Sequence, residues 1–216
     1  MTECDSFRFK CPSSILVVGP SSSGKTVFVE RLLREKNELF SHSSPSITYC
    51  YGAWQDKFNK MKQHGIRFNQ GIPSIQSIQK WFRGGGILIL DDLMDEGGND
   101  KTILDLFTKH SHHNNVTVIY LCQDMFPPGK YAKTISRNAH YIVAFKNPRD
   151  QLGVRNLTLQ AFPSDWEEVL KVYRDATNRP YGYLIFDLHP SSEDNKRLLA
   201  NILKDEGPTT AYTKTE

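Results

Sequence analysis

Short apolar runs alternate with amphipathic segments along most of the chain. Five runs rich in Val, Ile and Leu predict strands buried on both faces, and they lie at residues 14–18, 47–51, 87–90, 116–121 and 141–145. Between them, apolar residues recur at helical spacing, which predicts helices at residues 25–38, 55–64, 74–82, 101–112 and 131–136. This alternation indicates an α/β protein with a mainly parallel sheet covered by helices on both faces.

The pattern changes after residue 149. Two helices are predicted there, the second over residues 164–177 with Ser164 as N-cap and Glu167 completing a capping box. A last strand at residues 183–188 is predicted to lead into a helix that ends near Leu203. The remaining residues, 207–216, are polar and Thr-rich, which predicts a disordered tail. Residues 1–206 are therefore interpreted as a single domain.

The segment between the first strand and the first helix fits the pattern Gly-x-x-x-x-Gly-Lys-Thr. In such a loop, backbone N–H groups surround phosphates, the Lys25 ammonium reaches the β and γ oxygens, and the Thr26 hydroxyl binds Mg²⁺. A plain turn has no need of these two side chains. The loop therefore predicts ATP and Mg²⁺ as cofactors and the three-layer sandwich of P-loop NTPases. The predicted nucleotide-binding residues are Gly19, Pro20, Ser21, Ser22, Ser23, Gly24, Lys25, Thr26 and Val27.

Two acids follow the strand at residues 87–90, where open α/β sheets place their ligands. Asp91 is predicted to hold Mg²⁺ and Asp92 to polarise the attacking water. The alternative is a strand end with two solvated acids. Most hydrolysing P-loop ATPases carry Glu where this chain has Asp92.

Gln123 follows the strand that begins at Val116. This is the sensor position in P-loop ATPases that have an additional strand between the phosphate-loop strand and the acidic strand. A side chain there can contact the γ-phosphate or orient the water, although a solvated turn residue is the alternative.

Several basic residues are further candidates. Arg137 and Arg149 flank the fifth strand, and each is either an arginine finger for a neighbouring subunit or a surface ion-pair partner. A second basic group is either a nucleic-acid path or a solvated helix face; it comprises Lys57, Lys60, Lys62, His64 and Arg67, with Phe58 and Phe68 between them. A third group, His110, His112 and His113, lacks Cys at matching spacing, so a polar helix end is favoured over a metal site.

The composition of the chain limits these interpretations but does not choose among them. The chain has 216 residues, which is enough for one hydrophobic core. Its net charge of +3 neither requires nor excludes a nucleic-acid partner. Its four cysteines show no Cys-x-x-Cys spacing, which fits buried thiols in a reducing compartment. Neither a signal peptide nor a membrane-spanning apolar run is found, so we expect a soluble, intracellular protein with no membrane partner.

Several segments together resemble the packaging ATPases of Polinton/Maverick elements and adintoviruses. Besides the loop, the resemblance rests on ILILDDLM at residues 87–94, FTKHSHH at 107–113, VIYLCQ at 118–123, ISRNAHY at 135–141 and FKNPRD at 145–150. Those proteins belong to the FtsK/HerA superfamily and are similar to poxvirus-type genome packaging ATPases. The resemblance covers roughly residues 14–188.

The resemblance implies a homo-oligomeric, hexameric ring that hydrolyses ATP to push double-stranded DNA into a preformed capsid. It implies a capsid or portal vertex as partner, and a location at a virus assembly site or in the host nucleus. Its site residues carry over directly to Lys25, Thr26, Asp91 and Gln123. The choice between Arg137 and Arg149 as finger stays open.

Three rivals share the loop chemistry. A P-loop kinase acting on a nucleoside or nucleotide usually needs an arginine-rich lid, and no such segment is evident. A GTPase would need an Asn-Lys-x-Asp segment, which the chain lacks. A nucleotide-dependent module without hydrolysis is disfavoured by the two acids and Gln123.

Overall fold

In the computed structural model, residues 2–3, 7–42, 44–93, 98–110, 115–126 and 129–213 are described. Within these ranges, ten strands form one sheet in the order β1-β10-β9-β8-β7-β2-β6-β5-β3-β4. The strands are β1 Thr2–Glu3, β2 Ser14–Val18, β3 Ser46–Tyr51, β4 Arg67–Gln70, β5 Gly86–Asp91, β6 Val116–Cys122, β7 Tyr141–Phe145, β8 Tyr183–Asp187, β9 Leu198–Ala200 and β10 Thr210–Ala211.

Helices connect and flank these strands. They are α1 Lys25–Arg34, α2 Lys36–Leu39, α3 Phe58–Lys62, α4 Ile75–Trp81, α5 Lys101–Asp105, α6 Ala132–Arg137, α7 Gln151–Ala161 and α8 Trp166–Ala176. A π-helical turn, Leu106–His110, continues α5, and 3-10 turns occur at Asp194–Lys196 and Lys204–Glu206.

The centre of the sheet is parallel, as the sequence predicts. Strands β2 to β7 pair in parallel, and β6 lies between β2 and β5. The additional strand between the phosphate-loop strand and the acidic strand is therefore confirmed. Beyond β7, the strands β8, β9, β10 and β1 continue the sheet in antiparallel fashion.

Two apolar clusters cover the two faces of the sheet. In β2, Leu16 and Val18 belong to one cluster, whereas Ile15 and Val17 belong to the other. Side chains alternate between faces along a strand, so a strand that is apolar throughout must be buried on both sides. The three-layer α/β prediction is confirmed.

Two predicted features near the end of the fold are wrong. Helix α8 has Asp165 rather than Ser164 as N-cap, and no side-chain capping bond forms. The reason is a turn in which the Asp165 N–H donates to Phe162 O at 3.0 Å, which delays the helix. The helix predicted to end near Leu203 is instead a 3-10 turn followed by β9, because β9 pairs with β8 and buries its apolar run.

Other boundaries differ in smaller ways. The first helix breaks at Glu35, which separates α1 from α2. Strand β4 was not predicted because it is a polar edge strand with exposed ends. The sequence predicts disorder over residues 207–216; within the described residues 207–213 the structure has β10 with Ala211 buried, and residues 214–216 lie outside the described residues.

Tyr173 ties α8 to the end of β7, beside the phosphate loop. Its buried hydroxyl donates to Phe145 O at 2.8 Å and accepts from Asn147 N–H at 3.2 Å. Tyr173→Phe removes both bonds from a buried position, so we expect the free energy of unfolding to fall by about 1–3 kcal/mol in urea denaturation. The control is Tyr212→Phe, which removes an exposed bond to Asp175 and should have a clearly smaller effect, since water replaces it. Equal losses in both variants would contradict the assignment.

Candidate active site

The phosphate loop wraps tightly at the carboxyl end of β2. Gly24 adopts the left-handed φ of 104° and is the N-cap of α1, and Phe28 N–H donates to Gly24 O at 2.8 Å. A Cβ on Gly19 would lie 2.7 Å from Ser23 Oγ, so only glycine lets the loop close on itself here. The loop N–H groups at the start of α1 can therefore face an anion.

Two polar side chains of the loop, those of Lys25 and Ser23, have surroundings that suit a bound phosphate. The Lys25 ammonium donates to the carbonyls of Gly19 and Pro20, and burial lowers its pKa, an effect that Asp91 partly opposes. The buried Ser23 hydroxyl has no hydrogen-bond partner among the residues that the structure describes. A triphosphate would give both side chains anionic acceptors.

The side chain of Asp91, at the end of β5, lies close to the Thr26 hydroxyl at the start of α1. Asp91 Oδ2 lies 3.4 Å from Thr26 Oγ1 and accepts a hydrogen bond from the Tyr49 hydroxyl at 2.6 Å. The carboxyl group is buried, which raises its pKa, although the bond from Tyr49 acts in the opposite direction. A hydroxyl and a carboxylate are the oxygen ligands that Mg²⁺ prefers, so this pair fits Mg²⁺. A cation there would also compensate the buried charge.

Asp92 is exposed at the mouth of the cavity. Its backbone has φ 56°, which is uncommon for a residue other than glycine. Gly52 packs against it so closely that a Cβ on Gly52 would lie 2.1 Å from Asp92 O. The two acids have different surroundings, because Asp91 is buried and Asp92 faces solvent.

Gln123 follows β6, between the loop strand and the acidic strand. Its carbonyl accepts a bond from Asn147 Nδ2 at 3.3 Å, which fixes the backbone there. Together with Lys25, Asp91 and Asp92 it lines one cavity of about 850 Å³. This volume lies within the range of small-molecule sites. Val27, also predicted to bind nucleotide, lines the same cavity and is 52% exposed.

The two finger candidates lie apart from this cavity, and neither belongs to its described lining. Arg137 ends α6, just before the amino end of β7. Because β7 runs parallel to β2, Arg137 lies near the amino ends of these strands, whereas the phosphate loop lies at their carboxyl ends. Arg149 follows the carboxyl end of β7 and is exposed, with its N–H donating to Asn147 Oδ1 at 3.1 Å.

Other residues of the cavity were missed by the sequence analysis. On the side of β8, Arg31 and Arg179 lie 3.4 and 3.9 Å from Glu206 Oε1. The sequence indicates these two arginines only weakly. Arg31 has the pattern of a residue on the polar face of α1, and Arg179 lies in an ordinary turn sequence before β8. The further missed lining residues are Phe28, Gln55, Leu121, Cys122, Phe145, Pro180, Tyr181, Tyr183 and Asp205.

The basic group after β3 divides between cavity, core and surface. Lys57 lines the cavity, and Phe58 is fully buried and cannot stack on a base. The Lys62 ammonium lies 4.4 Å from the Trp54 ring centroid, and the Arg67 guanidinium lies 5.2 Å from that of Trp81. Lys60, Lys62, His64 and Arg67 are exposed. A nucleic-acid path over the exposed basic residues stays a prediction. Phe58 is no longer part of it, because its ring is buried.

Several remaining predictions concern metals, thiols and membranes. His112, His113 and the side chain of His110 lie outside the described residues, and within those residues no cluster of His, Cys, Asp and Glu could hold a metal ion. Cys50 and Cys122 are free and buried, as expected, and burial raises the pKa of Cys50 to about 12. In the described ranges no helix has the length and apolar character to span a membrane.

Asp91→Asn is expected to stabilise the nucleotide-free protein at neutral pH. Because burial raises the pKa of Asp91, the folded state binds this proton more tightly than the unfolded chain, whose pKa lies near 3.8. The charged carboxylate therefore destabilises the fold above that pH and not below it. Urea denaturation should show a higher free energy of unfolding for the variant at pH 7, with the gain shrinking towards pH 4.

The matched control is Asp194→Asn, an acid whose side chain is 94% exposed. It should show no comparable gain at pH 7. A less stable Asp91→Asn protein at pH 7 would contradict the burial argument.

The chain matches one protein family in sequence and several solved structures in fold. The sequence profile of the family described as Poxvirus A32 protein matches residues 5–205. A comparison with curated protein sequences finds no significant match.

Solved structures share the fold. The genome packaging NTPase B204 from Sulfolobus turreted icosahedral virus 2 in complex with ATP-gammaS has a TM-score of 0.53 at 15% identity, over 82% of this chain and 93% of that chain. Its AMPPCP complex has a TM-score of 0.52 at 15% identity, over 82% and 92%. B204, the DNA-packaging ATPase from Sulfolobus Turreted Icosahedral Virus, has a TM-score of 0.53 at 12% identity, over 82% and 93%.

Proposed function

The chain belongs to the Poxvirus A32 protein family, and from this membership and the site geometry we propose that it is an ATPase that drives double-stranded viral or transposon DNA into a preformed capsid. The observation that carries the proposal is the meeting of Lys25, Asp91 and Gln123 in one cavity beside a closed phosphate loop. These groups come from three neighbouring parallel strands. Their arrangement suits a triphosphate and its hydrolysis.

The residues have distinct roles in this proposal. The loop N–H groups bind the phosphates, and Lys25 moves from the Gly19 and Pro20 carbonyls to the β and γ oxygens. Thr26 and Asp91 would hold Mg²⁺, which when bound neutralises the charge that develops on the phosphates. Asp92 accepts a proton from the attacking water, and Gln123 orients that water. The side chain of Asp92 is one methylene shorter than the usual Glu, so the water must lie closer to the backbone.

The partners are proposed from the relatives. The B204 proteins are described as a genome packaging NTPase and a DNA-packaging ATPase. By analogy, we propose double-stranded DNA as substrate, a capsid or portal vertex as docking partner, and a homo-oligomeric, hexameric ring. Its place of action would be the virus assembly site, in the host nucleus where assembly occurs there. A P-loop kinase is not favoured, because the matched family and fold relatives point to packaging rather than to phosphate transfer.

Duplex DNA is expected to increase steady-state phosphate release by this protein. Lys25→Ala and Asp91→Ala should each lower turnover at least about 100-fold, because each removes a charge that acts on the transferred phosphate. Phosphate release with and without DNA measures both effects.

The control for these variants is Lys171→Ala, which removes an exposed lysine paired only with Glu168 among the described residues. It should leave turnover unchanged. Robust turnover that ignores DNA and phosphorylates a nucleoside would overturn the motor proposal in favour of a kinase.

An arginine finger is proposed to come from Arg137 or Arg149 of a neighbouring subunit. Loss of a finger typically lowers turnover by about 10³-fold or more. If the finger acts between subunits, mixing the inactive Arg→Ala protein with Lys25→Ala protein should restore part of the activity, because the Lys25→Ala subunit still supplies the arginine. Phosphate release from titrated mixtures measures this. Failure of both mixtures would remove the proposal.

A further inference from the structure

The groups assigned so far bind the phosphates and Mg²⁺, but the cavity continues past the loop towards β8. Its wall there is the turn between α8 and β8, formed by Arg179, Pro180 and Tyr181. A second cavity of about 290 Å³ adjoins the same turn and also reaches Ser22 and Ser23 of the loop. Both cavities therefore lie beside this turn, and the second one borders the phosphate loop as well.

Tyr181 is the residue of this turn that touches the loop. A Cβ on Gly24 would lie 3.1 Å from Tyr181 Cδ1, so the edge of the ring packs against the loop backbone. The residue is nevertheless 71% exposed, the largest value among the exposed large hydrophobic residues of the described chain. An aromatic ring that is anchored at a ligand cavity and left open to solvent presents a flat apolar surface for a ligand.

The backbone of Tyr181 supports this interpretation. Its φ of 59° is left-handed, which is uncommon for an aromatic residue. Such a conformation persists only where the surroundings hold it, and residues that adopt it cluster at active sites, ligand clamps and switch regions. Here Gly182 N–H donates to Arg179 O at 3.1 Å, and a Cβ on Gly182 would lie 2.4 Å from Ala176 O. The turn is thus held tightly on its β8 side.

The turn and the Thr26–Asp91 pair lie on opposite sides of the phosphate-loop strand β2. Asp91 lies on β5, on one side of the loop strand β2 and separated from it by β6. Tyr181 lies on the other side, because β8 begins where β7 ends, with Tyr183 opposite Phe145. A nucleoside triphosphate whose terminal phosphates reached Asp91 and whose other phosphates followed the loop would extend towards the β8 side of the cavity. Its ribose and base would then lie near Tyr181.

We propose that Tyr181 is the platform on which the base of the bound nucleotide stacks, with the Arg179–Tyr181 turn as the base subsite. The proposal rests on the proposed ATPase function, since it uses the same phosphate loop. Stacking of a base on an aromatic ring depends on the faces of the two rings. The phenol hydroxyl is therefore not required.

Calorimetric titration with ATP and with inorganic tripolyphosphate, both with Mg²⁺, tests the subsite. Tyr181→Gly should weaken ATP binding about tenfold and leave tripolyphosphate binding unchanged, since tripolyphosphate has no base. Tyr181→Phe keeps the ring and should bind ATP as the unaltered protein does. Glycine suits a φ of 59°, so the thermal midpoint of Tyr181→Gly should equal or exceed that of the unaltered protein, which excludes a folding defect as the cause.

Three results would overturn the base subsite and leave the phosphate site intact. These are unchanged ATP affinity in Tyr181→Gly, an equal loss of affinity for ATP and tripolyphosphate, and equal affinity of the unaltered protein for the two ligands. If the unaltered protein binds neither ligand, the proposed function fails as well. The two failures are therefore distinguishable.

Discussion

Parallel pairing of the central strands is the constraint on which the site depends. Because β2 pairs with β6 and β7, and β6 pairs with β5, the carboxyl ends of these strands lie at one edge of the sheet. Lys25 and Gln123 follow two of these ends, and Asp91 is the last residue of the third strand, β5. The backbone hydrogen bonds between these strands thereby help to bring residues far apart in the chain to one cavity. Antiparallel pairing of β5 would place Asp91 at the opposite edge, away from the loop.

Burial of charge at this edge links the site to its ligand. Asp91 is buried against Tyr49 and Thr26, and Lys25 is folded back onto loop carbonyls. Desolvation opposes the charged forms of both groups, as the directions of their pKa shifts indicate. A magnesium ion beside the carboxylate and a phosphate beside the ammonium would relieve both penalties. Both groups therefore carry a desolvation cost in the folded protein, which is common where function requires buried charge.

The antiparallel strands beyond β7 complete the cavity from the other side. Strand β8 returns against β7, so the turn that precedes it meets the phosphate loop. Strand β9 then brings the chain to Glu206, which accepts from the Tyr183 hydroxyl and lies within ion-pair distance of Arg31 and Arg179. One carboxylate thereby joins α1, the turn and β8. The half of the cavity that faces β8 depends on this part of the fold rather than on the phosphate loop.

The sequence by itself determined the centre of the protein. Strands β2 and β7 have the predicted bounds, and the loop lies between a buried strand and a helix as its pattern requires. These features are local: apolar runs must be buried, and a glycine-rich loop needs only its own backbone freedom.

Only the tertiary structure decided where the remaining elements lie. Strand β9 is an apolar run that could be helix or strand, and pairing with β8 selects the strand. The same holds for Ser164, which a turn removes from the capping position. Tyr181 lies beside Gly24 and Arg179 lines the same cavity, and the local sequence does not indicate either position, because both follow from the return of β8 against β7. Contacts between residues distant in the chain depend on strand order, which local periodicity does not encode.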